Sequence, residues 1–216
     1  STSIPTGPIK HTIMIYMCGS DLESDSYLAS ANLREMISVT GIGGTSNNIN
    51  VVIETGGSEK WDPTMKDSNG NTISSSKLGR YHIENKKLVR DSQISNASMG
   101  KSSTLQSFIE YGVNNYPADK YGLVLWNHGG AMDGCCSDEN FTDTYGYADI
   151  LTPTELQTAV SSAKSKLKIT DKFEWIGYDC CLMSVADIAD YNSEFFKYQV
   201  TSQETEPGEG CDFDVW

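Results

Sequence analysis

Histidine and cysteine are sparse in this chain of 216 residues, and neither falls into a spacing that would build a metal site unaided. The six cysteines stand at positions 18, 135, 136, 180, 181 and 211, with no Cys-x-x-Cys pair. Adjacent cysteines rarely bridge each other, so neither a disulfide framework nor a zinc site is expected, and the thiols read as free. Basic residues are also scarce, 16 against 29 acidic, for a formal net charge of -13, and they are scattered rather than gathered into a stripe. Such a field repels phosphates, which makes nucleic acid an unexpected partner. No apolar run approaches the roughly 18 residues of a membrane span. The opening STSIPTGPIKHT lacks the charged and apolar regions of a signal peptide, so an exported protein would be numbered here after processing.

The hydrophobic and charged fractions, 38% and 21%, suit a globular protein that buries one core, and a single domain over residues 1–216 is expected. Residues 11 to 19, HTIMIYMCG, read as a buried strand, followed from Ser20 by a helix. INVVIETGG at 49 to 57 repeats the strand signature. Between about 58 and 98 the texture turns to Gly, Ser, Asn and Lys, and KLGRYHIENKKLVR reads as a polar hairpin insertion standing off the main sheet. A helix over SSTLQSFIEYGVNNY, a strand over YGLVLWNHGG, a long loop, and a helix opening on the capping box of Thr152 and Glu155 come next. The strand FEWIGYDCC, the helix SVADIADYNSEFF and a last strand YQVTSQE complete the series. Strands alternating with amphipathic helices predict an α/β sandwich of three layers, its mainly parallel central sheet covered by helices on both faces. Ligands of such sheets bind outside the carboxyl ends of the strands, which singles out positions 18–21, 126–130, 179–181 and 202–204.

Of the three histidines, His128 alone lies at the carboxyl end of a predicted central strand; His11 begins a strand and His82 sits in the hairpin. Cys181 ends the next strand, 53 residues on. The junction to a helix expected around Ser184, with a neighbouring imidazolium, would favour the thiolate that acyl transfer requires. Strand alternation turns Cys180 to the opposite face, where a buried inert role is expected. Histidine first and cysteine second, on successive strands, matches the order of caspase-type peptidases. The backbone N–H groups of Gly129 and Cys181 are the natural oxyanion donors, and no third catalytic acid is evident.

The segments YMCGSDLE at 16 to 23, LVLWNHGG at 123 to 130, WIGYDCCLMSV at 175 to 185 and TSQETEPGEG at 201 to 210 resemble the blocks of the clostripain family of cysteine peptidases, across nearly the whole chain. The resemblance implies a caspase-like fold, a dyad of His128 and Cys181, and endopeptidase cleavage of protein or peptide substrates after Arg or Lys. It also implies a bacterial protein that is secreted or held at the cell envelope, and a monomer is expected. Asp179, two residues before the nucleophile, could turn its carboxylate to a cationic side chain, with capping as its structural alternative. Glu204, Glu206 and Glu209 are candidates for a second pocket acid, with Glu209 favoured. Rival readings are a thiol hydrolase acting on a non-peptide carbonyl and a peptide-binding or adhesion module without turnover.

The chain departs from the family in three ways. Members continue well past the position of CDFDVW, which reads as the end of a truncated or processed piece. They often carry an aromatic residue where Cys211 stands. Their self-cleavage follows a basic residue in the loop beyond the catalytic histidine, whereas here no Lys or Arg occurs between Lys120 and Lys164. Asp133, Asp138, Glu139 and Asp143 in that loop could bind calcium, but they lack EF-hand spacing; they read as a solvated loop, and no cofactor is expected. The intact mass of active enzyme should therefore show one chain, with no cut between Gly129 and Ala163.

Overall fold

The computed structural model describes residues 10–43 and 47–214. In chain order its elements are β1 (His11–Cys18), α1 (Ser20–Ser26), α2 (Leu28–Ser38), β2 (Ile49–Gly56), β3 (Lys77–Glu84), β4 (Lys87–Ser95), α3 (Ser102–Asn115), β5 (Lys120–Trp126), β6 (Cys135–Thr142), β7 (Ala148–Leu151), α4 (Pro153–Leu167), β8 (Phe173–Asp179), α5 (Ala186–Ser193) and β9 (Phe196–Val200). Seven strands form one sheet in the order β4-β3-β2-β1-β5-β8-β9. Strands β2, β1, β5, β8 and β9 run parallel, joined by helical crossovers, while β3 and β4 add an antiparallel edge.

The central strands are apolar on both faces because both faces are covered. Alternate residues of β1 feed two cores. Met14 and Tyr16 pack with Leu105 and Phe108 of α3 and with Leu156 and Val160 of α4. Ile15 and Met17 pack with Leu33 and Met36 of α2. The helices thus form the outer layers of a caspase-like three-layer sandwich. Helix α4 starts where its sequence signals it, with Thr152 Oγ1 accepting from Glu155 N and the Glu155 carboxylate accepting from Thr152 N.

Four expectations need correction. The helix after Ser20 breaks at Tyr27, whose φ of 56° is left-handed. No Gly or Pro marks the break; the buried Glu23 carboxylate makes it, accepting from Ser30 N (2.8 Å) and Ser30 Oγ (2.6 Å) in the first turn of α2, and from Asp62 N (2.8 Å). Acidic groups at a helix start satisfy its free N–H groups, so Glu23 caps α2 from outside.

The polar hairpin does not stand off the sheet. Strand β3 pairs with β2, bringing Arg80 opposite Glu54. Arg80 Nε donates to Glu54 Oε2 at 2.7 Å, and its other end reaches Ser107 Oγ at 2.8 Å. Polar composition misled here because the buried charge of β2 is matched by a charge on its neighbour.

The stretch after His128 is not a plain loop but a ribbon of β6 and β7, with Cys135, Cys136 and Leu151 buried. Its register is irregular, which erased the period-two pattern from the sequence. The acids of this ribbon are not a solvated cluster. Asp138 is fully buried and accepts from Met99 N and Asn140 N. Glu139 accepts from Ser24, Ser58 and Glu59, tying the ribbon to α1 and the loop after β2, while Asp143 accepts from Tyr145 N and Tyr147 N and holds its own turn. Among the described residues no His, Cys, Asp or Glu group is arranged to hold a metal.

Replacing Arg80 by Ala would strand Glu54 as an unpaired buried charge. Denaturant unfolding should show a loss of about 3–5 kcal/mol.

Candidate active site

Strand register builds the site. Trp126 at the end of β5 lies opposite Asp179 at the end of β8, and Met17 of β1 lies opposite Trp126. His128 and Cys181 each stand two residues past these ends, so adjacent parallel strands about 4.8 Å apart deliver both to one rim. They line the same cleft, together with Leu22, Asp179, Glu206 and Gly208. His11 lies at the opposite end of β1, and His82 is bonded to Asp91 on the hairpin (2.7 Å), remote from the cleft.

Asn127, 4% exposed, fixes the histidine loop to three neighbours. Its side chain donates to Cys18 O (2.7 Å) and accepts from Ser137 N (2.8 Å), and its backbone N–H donates to Asp179 O (3.2 Å). Gly129 then passes so close to the cysteine loop that a Cβ there would meet Cys181 O at 2.2 Å and Cys181 N at 3.1 Å. Only glycine permits this approach, which brings the backbones of Gly129 and Cys181 together.

Cys180 and Cys181 diverge as strand alternation requires. Cys180 is buried, its thiol donating to Leu125 O at 3.3 Å. Cys181 is half-buried at the cleft, its Sγ accepting from Glu206 N at 3.2 Å. The helix expected around Ser184 starts only at Ala186. Residues 182 to 184 instead lie along 202 to 204, with Leu182 N donating to Glu204 O and Ser184 N to Ser202 O. These backbone donors are held by a neighbouring chain segment rather than by a helical turn, so the helix dipole expected beside the thiol is displaced from it.

The imidazole has a carboxylate partner that the sequence did not reveal. His128 Nε2 lies 2.9 Å from Oδ1 of Asp21, in α1. Burial raises the Asp21 carboxyl, but the His128 charge and the bond from Ser20 outweigh it and hold the group below its ordinary range. The available signal was positional: Asp21 closes the stretch at the carboxyl end of β1.

Asp179 is 4% exposed. Its Oδ1 accepts from Cys211 N at 2.9 Å, while Oδ2 is buried without a partner. Burial raises this carboxyl, bonds from Cys211 oppose the rise, and the charge of Glu35 adds to it. The chain can cross above it only as Gly210, whose φ is 68° and whose Cβ would lie 2.7 Å from Oδ1. Of the three candidate second acids, Glu206 is the one that lines the cleft. Its Oε2 is likewise buried and unpartnered, and burial, with the charge of Asp179, pushes its carboxyl up to about 7 against a backbone bond from Cys180. The favoured Glu209 has an exposed side chain and lies outside the cleft, its carbonyl accepting from Asn32 (3.1 Å). Three acids within six residues of irregular chain carry no period, so only the loop's path distinguishes them.

Comparison with known proteins matches the chain to a family. The model of the clostripain family matches residues 15–216. Clostripain of Hathewaya histolytica is 32% identical over 102 residues, which cover 43% of this chain and 18% of the relative. A secreted C11 cysteine protease of Bacteroides thetaiotaomicron, solved with an irreversible peptide inhibitor, superimposes with a TM-score of 0.67 at 20% identity. That match covers 96% of this chain and 53% of the other. An inactive zymogen C11 protease of Parabacteroides distasonis gives a TM-score of 0.58 at 23% identity, over 98% of this chain and 53% of its own. The chain thus spans about half the length of these solved structures.

Exposure ranks the thiols. Cys18, Cys135, Cys136 and Cys180 are buried, and Cys211 is half-buried with its thiol pushed up to about 12 by burial and the charge of Asp179. Iodoacetamide added to the native protein should label Cys181 first, as peptide mapping would show, and reach the four buried thiols only after unfolding.

Proposed function

Because the chain belongs to the clostripain family of cysteine peptidases, we propose that it is the endopeptidase domain of a secreted or envelope-held bacterial enzyme, cleaving proteins after Arg or Lys with Cys181 and His128. One observation carries the basic preference. Two carboxylate oxygens, Asp179 Oδ2 and Glu206 Oε2, are buried without partners in the cleft that holds the Cys181 thiol. Buried anionic groups without hydrogen bonds are costly, and a guanidinium or ammonium is the group that relieves both. The chain as a whole is acidic, which favours encounter with basic peptide segments.

The chemistry follows from the residues at the rim. The thiol proton of Cys181 passes to the His128 imidazole, and the thiolate attacks the carbonyl carbon of the scissile bond. The carbonyl oxygen becomes an oxyanion that the N–H groups of Gly129 and Cys181 stabilise. The carbon–nitrogen bond then breaks, the imidazolium gives its proton to the departing amine, and a thioester remains on Cys181. Water, losing a proton to His128, attacks the thioester, and collapse of that intermediate returns the thiol and releases the acid. His128 and Cys181 line one cleft, and a substrate bound between them brings such a pair to hydrogen-bond distance. The relative from B. thetaiotaomicron is described as secreted, which supports the proposed location. Among the described residues no helix is long and apolar enough to cross a membrane. A monomer suffices, since both halves of the dyad come from one chain.

Matched fluorogenic peptides with Arg, Lys, Asp or Asn before the scissile bond test the reading. Cys181→Ala should abolish turnover. Asp179→Asn and Glu206→Gln should each lower kcat/KM on Arg and Lys peptides by about tenfold to a hundredfold, the worth of a hydrogen bond to a charged group. Glu206 gains its charge as pH rises through about 7, so KM for the Arg peptide should fall from pH 6 to 8, and that fall should vanish in Glu206→Gln. Equal cleavage after Asp or Asn would overturn the specificity, and hydrolysis confined to small esters would favour the non-peptide reading.

A further inference from the structure

The carboxylate nearest the His128 imidazole has no task in a mechanism of thiol and imidazole alone. We propose that Asp21 is the positioning residue of the dyad, accepting a hydrogen bond from the Nε2–H of His128 and so presenting Nδ1 to the Cys181 thiol. The inference rests on the peptidase reading of this cleft.

Three observations support it. The first is the contact itself, 2.9 Å from Nε2 to Oδ1. The two ring nitrogens are distinct, and the bond made by one sets the proton on the other; with Nε2 engaged, Nδ1 is the nitrogen left to act as base. When the thiol proton arrives at Nδ1, the imidazolium keeps its Nε2 proton, which it donates in a hydrogen bond to the Asp21 carboxylate. No further donor or acceptor is needed, and the charge moves next to a fixed anion.

The second is the backbone that delivers Asp21. Ser20, the first residue of α1, has φ of 49°, a left-handed conformation costly for a residue with a side chain. It is over-determined from outside. Gly19 N donates to Gly56 O (2.8 Å), Ser20 N to Gly57 O (3.1 Å), and Ser58 Oγ to Ser20 O (3.0 Å). Ser20 Oγ then donates to Asp21 Oδ1 (3.1 Å). Strain held in place by its surroundings marks sites where geometry matters for function.

The third is shared anchorage. Asn127 ties the histidine loop to Cys18 O, the residue from which the turn to α1 departs, so acid and imidazole are fixed to one strand end. Thermodynamic stability gives little reason for the pair, since the side chains are 56% and 47% exposed and such ion pairs contribute little. The other titratable groups on this rim are Asp179 at the end of β8, Cys180 and Cys181 just past it, Glu206 after β9, and Asp133 beside Gly130.

The experiment compares wild type, Asp21→Asn and Asp21→Glu on an Arg peptide, with Cys181→Ala as blank. Asp21→Asn should lower kcat by roughly tenfold to a hundredfold, in the range of losing an orienting partner of a functional histidine, with KM nearly constant. The acid limb of its rate profile should move to lower pH, because the imidazolium loses its neighbouring anion; its melting temperature should stay unchanged, and Asp21→Glu should recover part of the rate. The rate of iodoacetamide reaction at Cys181 should fall in Asp21→Asn as well. That reading needs no peptide cleavage, so it separates failure of this proposal from failure of the peptidase assignment, which would show as no hydrolysis by wild type. A variant with wild-type kcat, pH profile and alkylation rate would make the contact a surface pair. A faster variant would mean that Asp21 holds the imidazole away from the thiol. Either result overturns the proposal.

Discussion

Parallel pairing of β5 with β8, in the register that sets Trp126 against Asp179, is the constraint on which the cleft depends. A side chain two residues past each end reaches the same rim only because both strands point the same way and end level. A slip of one residue would turn every side chain of one strand to the other face and separate imidazole from thiol. The bond from Asn127 N to Asp179 O continues the ladder one step past the sheet, and the Asn127 side chain carries the tie to β1. Glycine at 129 completes the assembly by letting two backbones meet where any Cβ would hold them apart.

Acidic groups organise much of the remaining structure, and burial decides what each one does. Glu23 caps a helix, Glu54 meets an arginine, and Asp138 ties the ribbon to the loop before α3. Glu23 and Asp138 have both oxygens committed to donors within the chain, and Glu54, whose Oε1 is buried without a donor, meets the Arg80 charge through Oε2. Asp179 and Glu206 differ, since each keeps a buried oxygen without a donor and both line the cleft beside Cys181, where no cation of the described residues meets them. On the proposed reading, a cationic substrate side chain meets them as Arg80 meets Glu54. The net charge of -13 is therefore not a uniform solvated coat, as some of the acids are the polar framework of the fold.

Much was legible in the linear chain because the signals were local. The run from 11 to 19, the capping box at Thr152 and the alternation of strands with helices carry their own periods, and the observed elements follow them. His128 and Cys181 were legible for the same reason, each standing just past a readable strand. The β3–β4 edge was misjudged because the partner that makes Arg80 at home, Glu54, lies 26 residues earlier. The break at Tyr27 was invisible because its cause, the buried Glu23 carboxylate, acts through space on the next helix. The ribbon after His128 hid behind two register shifts.

The amino-acid order by itself determined the parallel strands of the sheet, the helical layers that cover them, the family resemblance and the places of His128 and Cys181 just past two strand ends. These depend on periodicity and on residue type, which a chain displays without folding. Tertiary structure alone decided that Glu206 rather than Glu209 turns into the cleft, that Asp21 meets the histidine, and that the helix dipole is displaced from the thiol. Each of these is set by contacts between segments distant in sequence, and no local pattern encodes which of several equivalent carboxylates will be brought within hydrogen-bond reach.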